Sequence, residues 1–469
     1  MLIGRKREQQ ELQDILESKQ SEFVVVFGRR RVGKTYLIRE FFHNDFTFYH
    51  TGMANEDGKS QLTAFNYSLN QYGKKKYTKA KTWFDAFGQL RELLENTATN
   101  DKKIVFIDEM PWLDTPKSGF ISALEFFWNA YASAQKDVIL IVCGSASSWI
   151  VNKLLNNHGG LHNRVTRQIY LNQFTLKECE QFYLASGIEL NRYQIVESYM
   201  IFGGIPYYLS LLKKQFGLSQ NVDLLCFNNN GKLVSEFDNL YASLFRNHEN
   251  HIAVIGALSK KNKGLTRQEI IDITKISEGG NLTKVLKDLE ISGFIRKYRS
   301  FGKKERYMLY QLMDFFTLFY YNFMENSSND ENFWTNFLEN ARHRAWSGYA
   351  FEQVCLAHVR QIKQKLSIAG VISNISSWKY NGSDNGAQID LVIDRADNVI
   401  NLCEIKYANS LFEIDKDYDE NLRNKKVIFR AKTKTNKALH LTMLTTYGVK
   451  HNSYWGNIQS EVTLDDLFQ

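Results

Sequence analysis

Proline is almost missing from this chain: three in 469 residues, Pro111, Pro116 and Pro206, where average usage is about 5%. Stiff proline-rich spacers are therefore excluded, and domains must be joined by helices or short polar loops. Cysteine is scarce as well. The five, Cys143, Cys179, Cys226, Cys355 and Cys403, are odd in number and none lies within four residues of another. That pattern supports neither a disulfide framework nor a zinc site, so a reducing cytoplasm is expected. Long apolar runs are absent too. Val138 to Cys143 and the mixed Phe315 to Tyr321 fall far short of the roughly 18 residues of a membrane span. The N-terminus turns charged at once and lacks the apolar stretch of a signal peptide. A soluble protein with no membrane partner is the expectation.

What is present suits a folded chain. Hydrophobic residues make up 43% and charged residues 23%, which excludes wholesale disorder and fibrous repeats. At about 150 residues per domain the length predicts roughly three domains. The formal charge is +8, informative only if it is concentrated.

Phe23 to Phe27 is a continuous apolar, largely β-branched run, as expected of a strand buried on both faces. It runs into Gly28-Arg29-Arg30-Arg31-Val32-Gly33-Lys34-Thr35 and then into Tyr36 to Phe42, which reads as a helix. Strand, GxxxxGKT and helix form a P-loop context. Glycines let the backbone wrap a phosphate of ATP, Lys34 reaches the β and γ phosphates, and the Thr35 hydroxyl ligates Mg²⁺. A second strand, Ile104 to Ile107, ends in Asp108-Glu109. Asp108 would hold Mg²⁺ through water, and Glu109 would polarise the attacking water. A third strand, Val138 to Cys143, delivers Gly144-Ser145. Ser145 is either a sensor of the γ-phosphate or part of a small turn.

These residues, with Ile3-Gly4-Arg5, Phe106-Ile-Asp-Glu-Met-Pro-Trp112, Cys143-Gly-Ser-Ala-Ser-Ser-Trp149 and Gly203-Gly-Ile-Pro-Tyr-Tyr-Leu209, resemble the prokaryotic AAA-type ATPases called archaeal ATPases, within the wider STAND and AAA+ group. The resemblance runs to about residue 240 and implies an ASCE P-loop fold with a helical lid. It also implies that an arginine after the sensor strand completes the site, sometimes from a neighbouring subunit, so a homo-oligomer is among the expected partners. Arg164 is the candidate, although Asn163 departs from the family's Gly-Arg pair. The other reading is an arginine in a basic surface turn.

In the middle of the chain, Thr266-Arg-Gln-Glu269 is a capping box that starts a short helix. A second helix follows Ser277, with Leu282, Val285, Leu286 and Leu289 as its buried stripe, and Gly293 ends it. Phe294 to Tyr298 and Arg306 to Tyr310 then read as a hairpin, which completes a winged helix-turn-helix. Residues 260–306 hold thirteen Lys and Arg against six Asp and Glu, a net +7 in one tenth of the chain. DNA is the partner this charge predicts. Lys284 and Lys287 would meet a groove, and Lys303 and Lys304 at the wing tip would meet phosphates. A winged helix used for protein packing is the alternative.

Further on, a helix beginning near Ser347 carries Glu352 close to its start. Gln388 to Asp394 and Val399 to Lys406 read as two strands around a tight Arg-Ala-Asp-Asn turn. In that hairpin Asp390 and Glu404 fall opposite one another, and Glu404 shares a face with Lys406. Two carboxylates and a lysine suit a hard cation, with Asp390 and Glu404 as Mg²⁺ ligands and Lys406 positioning the nucleophile. With the upstream helical Glu352, the set resembles the PD-(D/E)xK nuclease superfamily, with Ile389 in place of its proline, and the resemblance implies Glu352 as a further Mg²⁺ ligand. More closely, residues from about 340 to Phe468 resemble an uncharacterised domain commonly fused to archaeal-type ATPases.

The expected organisation is an α/β multidomain chain: ATPase core 1–170, helical lid 171–245, winged helix 246–325 and nuclease-like domain 326–469. The expected function is an ATPase that binds DNA and cleaves it with Mg²⁺. The alternative is a regulatory NTPase switch that binds DNA or a partner protein without cutting.

Overall fold

The computed structural model describes residues 2–469 except 100, 157–159, 162, 246, 303–306, 328–329, 339 and 383–385. The expected wing-tip residues Lys303 and Lys304 lie outside the described residues. The chain forms two compact units, Met1–Gln173 and Phe174–Gln469.

In the first unit, α1 (Lys6–Glu17) precedes β1 (Glu22–Phe27), α2 (Lys34–Phe41), β2 (Phe48–Thr51), α3 (Gly58–Tyr72), α4 (Trp83–Glu95), β3 (Lys103–Asp108), α5 (Phe120–Ala130), β4 (Val138–Cys143) and β5 (Arg167–Tyr170). The five strands form one parallel sheet in the order β2-β3-β4-β1-β5. β1 and β4 are buried along nearly their whole length, which explains their unbroken apolar sequence. Phe65, Trp83, Phe87, Leu90, Phe120 and Phe127 from the helices pack on Phe23, Val25, Val105 and Leu140 of the sheet. β4 lies between β1 and β3, so the loops after all three strands open at the same edge.

Gly28 leaves β1 with φ 145°, and a Cβ built there would sit 2.3 Å from the Leu171 carbonyl oxygen. Gly28→Ala is therefore expected to cost about 1–3 kcal/mol by overpacking, read as a lowered urea midpoint.

In the second unit, helices that include α6 (Leu176–Ala185) and α7 (Arg192–Phe202) lead to the basic segment. That segment comprises α8 (Glu249–Ser259), β6 (Leu265–Thr266), α9 (Arg267–Thr274), α10 (Gly280–Ile291), β7 (Ile295–Tyr298) and β8 (Leu309–Leu312). Thr266 and Glu269 form a reciprocal cap at the start of α9, and Leu282, Val285, Leu286 and Leu289 are buried. Its three strands pair antiparallel in the order β6-β8-β7. The expected second arm, Arg306 to Tyr310, begins outside the described residues; β8 opens at Leu309, which pairs with Thr266 of β6 and Tyr298 of β7.

The rest comprises α11 (Ala341–Ala357), α12 (Val359–Lys365), β9 (Ser373–Tyr380), β10 (Ala387–Arg395), β11 (Val399–Lys406), α13 (Lys416–Thr433), β12 (Ala438–Thr445) and β13 (Ser460–Thr463). The sheet order is β13-β12-β11-β10-β9. The β9-β10-β11 meander is antiparallel, and α13 crosses over so that β12 lies parallel to β11. α13 buries Leu422 and Phe429 against Trp378, Val392, Leu402 and Met443.

The helix expected from Ser347 starts six residues earlier, capped by Asn340, and breaks at His358. The buried His358 ring donates from Nδ1 to the Val354 carbonyl and accepts the Leu176 backbone N–H at Nε2. Burial lowers its pKa to about 4, so the ring stays neutral. Among the described residues no helix is long and apolar enough to cross a membrane.

Candidate functional site

Two groups of functional side chains emerge, one in each unit. In the first, the loop from Gly28 to Gly33 joins β1 to α2, with Arg31 at φ 69° and Gly33 at φ 89°. The Lys34 ammonium is buried and donates to the carbonyls of Gly28 (3.1 Å) and Arg29 (3.0 Å). Burial pushes it below lysine's usual range, against the pull of Cys143, Glu109 and Asp108. The Thr35 hydroxyl donates to Asp108 at 2.8 Å. The other Asp108 oxygen accepts from the Glu109 N–H and the Cys143 thiol. Glu109 sits in the left-handed region at φ 43°, and its carboxylate accepts from the Ser145 hydroxyl at 2.7 Å and the Ser145 N–H at 3.2 Å. Pro111 packs close to Gly144, where a Cβ would approach within 2.4 Å. The acid turn and the Ser145 turn are thus wedged together.

This donor set fits Mg²⁺ and a polyphosphate. A hydroxyl and a carboxylate, both hard oxygen ligands, meet beside a desolvated ammonium held by loop carbonyls. The Lys34 ammonium would turn from those carbonyls to phosphate oxygens. Arg5, which is buried, donates to the Val32 carbonyl at 3.1 Å and braces the loop. Arg164 lies exposed in the turn before β5, its N–H bonded to the Leu161 carbonyl. No described contact joins it to Lys34, Asp108 or Glu109.

In the second unit, a cleft of about 470 Å³ is lined by Glu352 from α11, Asp390 from β10 and Lys406 from β11, among others. Glu352 lies in the middle of α11, so the favourable dipole of a helix's first turn does not account for it. The pairing of Leu391 with Cys403 places Asp390 and Glu404 next in register and on one face, as the hairpin reading expects. Glu404 nevertheless does not line the cleft. It is buried and bound by Lys425 of α13 at 2.7 Å. Among the described residues no three His, Cys, Asp or Glu side chains are grouped to hold a metal. The two carboxylates that do face the cleft still suit Mg²⁺, which usually takes one or two carboxylates and fills its remaining positions with water and substrate phosphate.

Burial and then the Asp390 carboxylate raise the Glu352 pKa from 4.5 to about 8. Burial also raises Glu404, against the opposing Lys425 charge. For a carboxyl raised in the fold, stability is fully present below the unfolded value and is lost as pH climbs through the folded one. Metal-free protein should therefore lose stability between about pH 4.5 and pH 8. Glu352→Gln should flatten this dependence and add on the order of 1–2 kcal/mol at pH 8, read by thermal unfolding in EDTA.

Residues 2–212 match the family model described as an ATPase domain predominantly from Archaea. Residues 2–212 are thus similar to archaeal-type P-loop ATPase domains. Residues 315–421 match a second model, described as archaeal and bacterial proteins of unknown function. An uncharacterized protein of Methanocaldococcus jannaschii is 24% identical over 439 residues, which covers 91% of this chain and 92% of that one. The Walker-type ATPase of Pyrococcus abyssi shares the fold at TM-score 0.50 and 17% identity, across 69% of this chain and 96% of its own. The ORC2 protein of Aeropyrum pernix aligns at TM-score 0.42 and 12% identity, across 76% and 96%.

Around the ATPase site, sequence reasoning had not singled out Cys143 and Arg5 as contacts. Both stand inside motifs that carried the family resemblance, so the signal was there. Lys425 had none, because α13 is charged along its length.

On the expected DNA face, Lys284 and Lys287 both project from α10 away from its buried stripe. Thr283 is taken up by the Gly279 carbonyl and the Arg267 guanidinium.

Proposed function

We propose that this ATPase binds DNA through its basic segment and cuts it at the Glu352–Asp390–Lys406 cleft, with nucleotide occupancy controlling the cut. The observation that carries the cutting reading is the meeting of Glu352, Asp390 and Lys406 in one cleft. α11 and the antiparallel β10-β11 hairpin carry these three residues, and α13 leads on to the parallel strand β12. Mg²⁺ bound there would supply an acidified water and neutralise charge on the phosphate. Asp390 and Glu352 would hold it, and Lys406 would orient the nucleophile. The helix-turn-helix and hairpin of residues 249–312, with Lys284 and Lys287 exposed on α10, support a winged helix that reads DNA.

At the ATPase site, Lys34, the loop N–H groups and Thr35 would bind the phosphates and Mg²⁺, Glu109 would take the proton from water, and Ser145 would register the γ-phosphate. One observation favours the other reading, a switch that binds DNA or protein without cutting: Lys425 already neutralises Glu404.

The experiment follows ATP turnover and supercoiled-plasmid nicking in one preparation, with Mg²⁺ or Mn²⁺, for the wild type and Lys34→Ala. Nicking that responds to ATP in the wild type alone supports the proposal. Normal ATP turnover with no nicking under any condition supports the switch.

A further inference from the structure

The cleft does not belong to the C-terminal sheet alone. Asn262 and Lys263, in the turn between α8 and β6, line it together with Glu352, Asp390, Lys406 and Lys379. That turn is clamped from three directions. Gln311 of β8 donates to the Asn262 carbonyl at 2.5 Å, Tyr349 of α11 donates to the same oxygen at 2.9 Å, and Tyr298 of β7 donates to the Lys263 carbonyl at 2.6 Å. Arg296 is spent on structure, bonded to Gln311 and Gln353, which ties the basic segment to α11. Lys263 is different. Its backbone is fixed, its side chain is half-buried in the cleft, and among the described residues its ammonium makes no hydrogen bond or ion pair. Asp390 and Glu352 are the charges that act on it most strongly, with Lys379 and Lys425 opposing. A pinned, desolvated and uncommitted ammonium beside two acids suits a diester oxygen better than it suits a structural role.

We infer that Lys263 binds the phosphodiester of the nucleic-acid strand that enters the cleft, so that the basic segment supplies part of the cutting site as well as a DNA-reading face. The inference rests on the nuclease reading for its substrate class. Lys379, exposed on β9 at the rim, would take a neighbouring phosphate of the same strand. This grip is separate from Lys284 and Lys287, which lie on α10 and do not line the cleft.

The test is binding of a fluorescein-labelled single-stranded oligonucleotide to the full chain in EDTA, where no metal-dependent cutting intervenes, across a salt series. Lys263→Ala should weaken binding by about tenfold and reduce the salt slope by about 0.7, one phosphate contact to a single strand. Lys263→Arg, which keeps the charge, should restore most of the affinity and secures the conclusion if the alanine variant folds poorly. Lys284→Ala with Lys287→Ala should weaken duplex binding more than single-strand binding. Unchanged affinity and slope in Lys263→Ala, with normal thermal unfolding, would overturn the inference. If the wild type never cuts DNA and Lys263→Ala still lowers affinity and slope, the cutting proposal fails while the strand-binding role of Lys263 stands.

Discussion

Glu109→Gln is expected to slow ATP turnover by about a hundred- to ten-thousandfold, the usual worth of a positioned general base, while nucleotide affinity stays within about threefold. The amide keeps the size of the carboxylate and can still accept the Ser145 hydroxyl that holds it at 2.7 Å. What it loses is the ability to take a proton from water. The phosphate-binding groups are untouched, because Lys34 and Thr35 lie on the loop and α2 and contact Gly28, Arg29 and Asp108. Phosphate release and anisotropy of a fluorescent ATP analogue separate the two effects. Lys34→Ala should instead lose binding, since it removes a buried positive charge at the end of the loop. A Glu109→Gln protein that turns over normally would assign the water-activating role elsewhere.

The second large effect is expected at Lys406. Lys406→Ala should reduce DNA cleavage by about 10²–10³-fold, the scale of removing one group aimed at charge that develops in the transition state. Retention of DNA on the basic segment should change little. Lys406 closes β11, lines the cleft and lies 5.4 Å from the Tyr418 ring centroid. That contact is made by the ammonium itself, which sits over the ring while the residue lines the cleft. Cleavage time courses beside duplex retention give the two readings. A fall in retention equal to the fall in cleavage would make Lys406 a binding group only.

The elements of the ATPase unit were the most legible. Phe23–Phe27, Ile104–Ile107 and Val138–Cys143 are continuous apolar runs ending in glycine or acid, and each is a strand of the parallel sheet. The hairpin from Gln388 to Lys406 was legible from its two largely apolar runs and the tight turn ending at Asn398, which adopts φ 63°. Boundaries set by long-range partners were not. The start of α11 depends on Asn340 capping seven residues before Ser347, and its end on a histidine that accepts a bond from Leu176. The sequence reading therefore placed Glu352 in a first turn when it lies mid-helix. The pairing of β8 with β6 likewise carries no local signal. The same holds at the cleft. Lys425 and Lys263 stand far in sequence from the acids they face, and only the tertiary fold brings an ordinary surface-type lysine to each. Glu404, the second acid of the motif, was legible as part of the hairpin, but its capture by Lys425 was not.

The most direct measurement is nicking of supercoiled plasmid with Mg²⁺ and ATP by the wild type and Asp390→Asn, with ATP turnover recorded in the same tubes. Asp390 faces the cleft, and its carboxylate accepts from Gln388 at 3.1 Å and the Ile405 N–H at 3.4 Å. The amide should leave the hairpin folded while removing a metal-holding charge. The expected result is nicking by the wild type, loss of nicking in Asp390→Asn, and equal ATP turnover in both. Nicking by Asp390→Asn at the wild-type rate would contradict the assignment of the cleft as the cutting site.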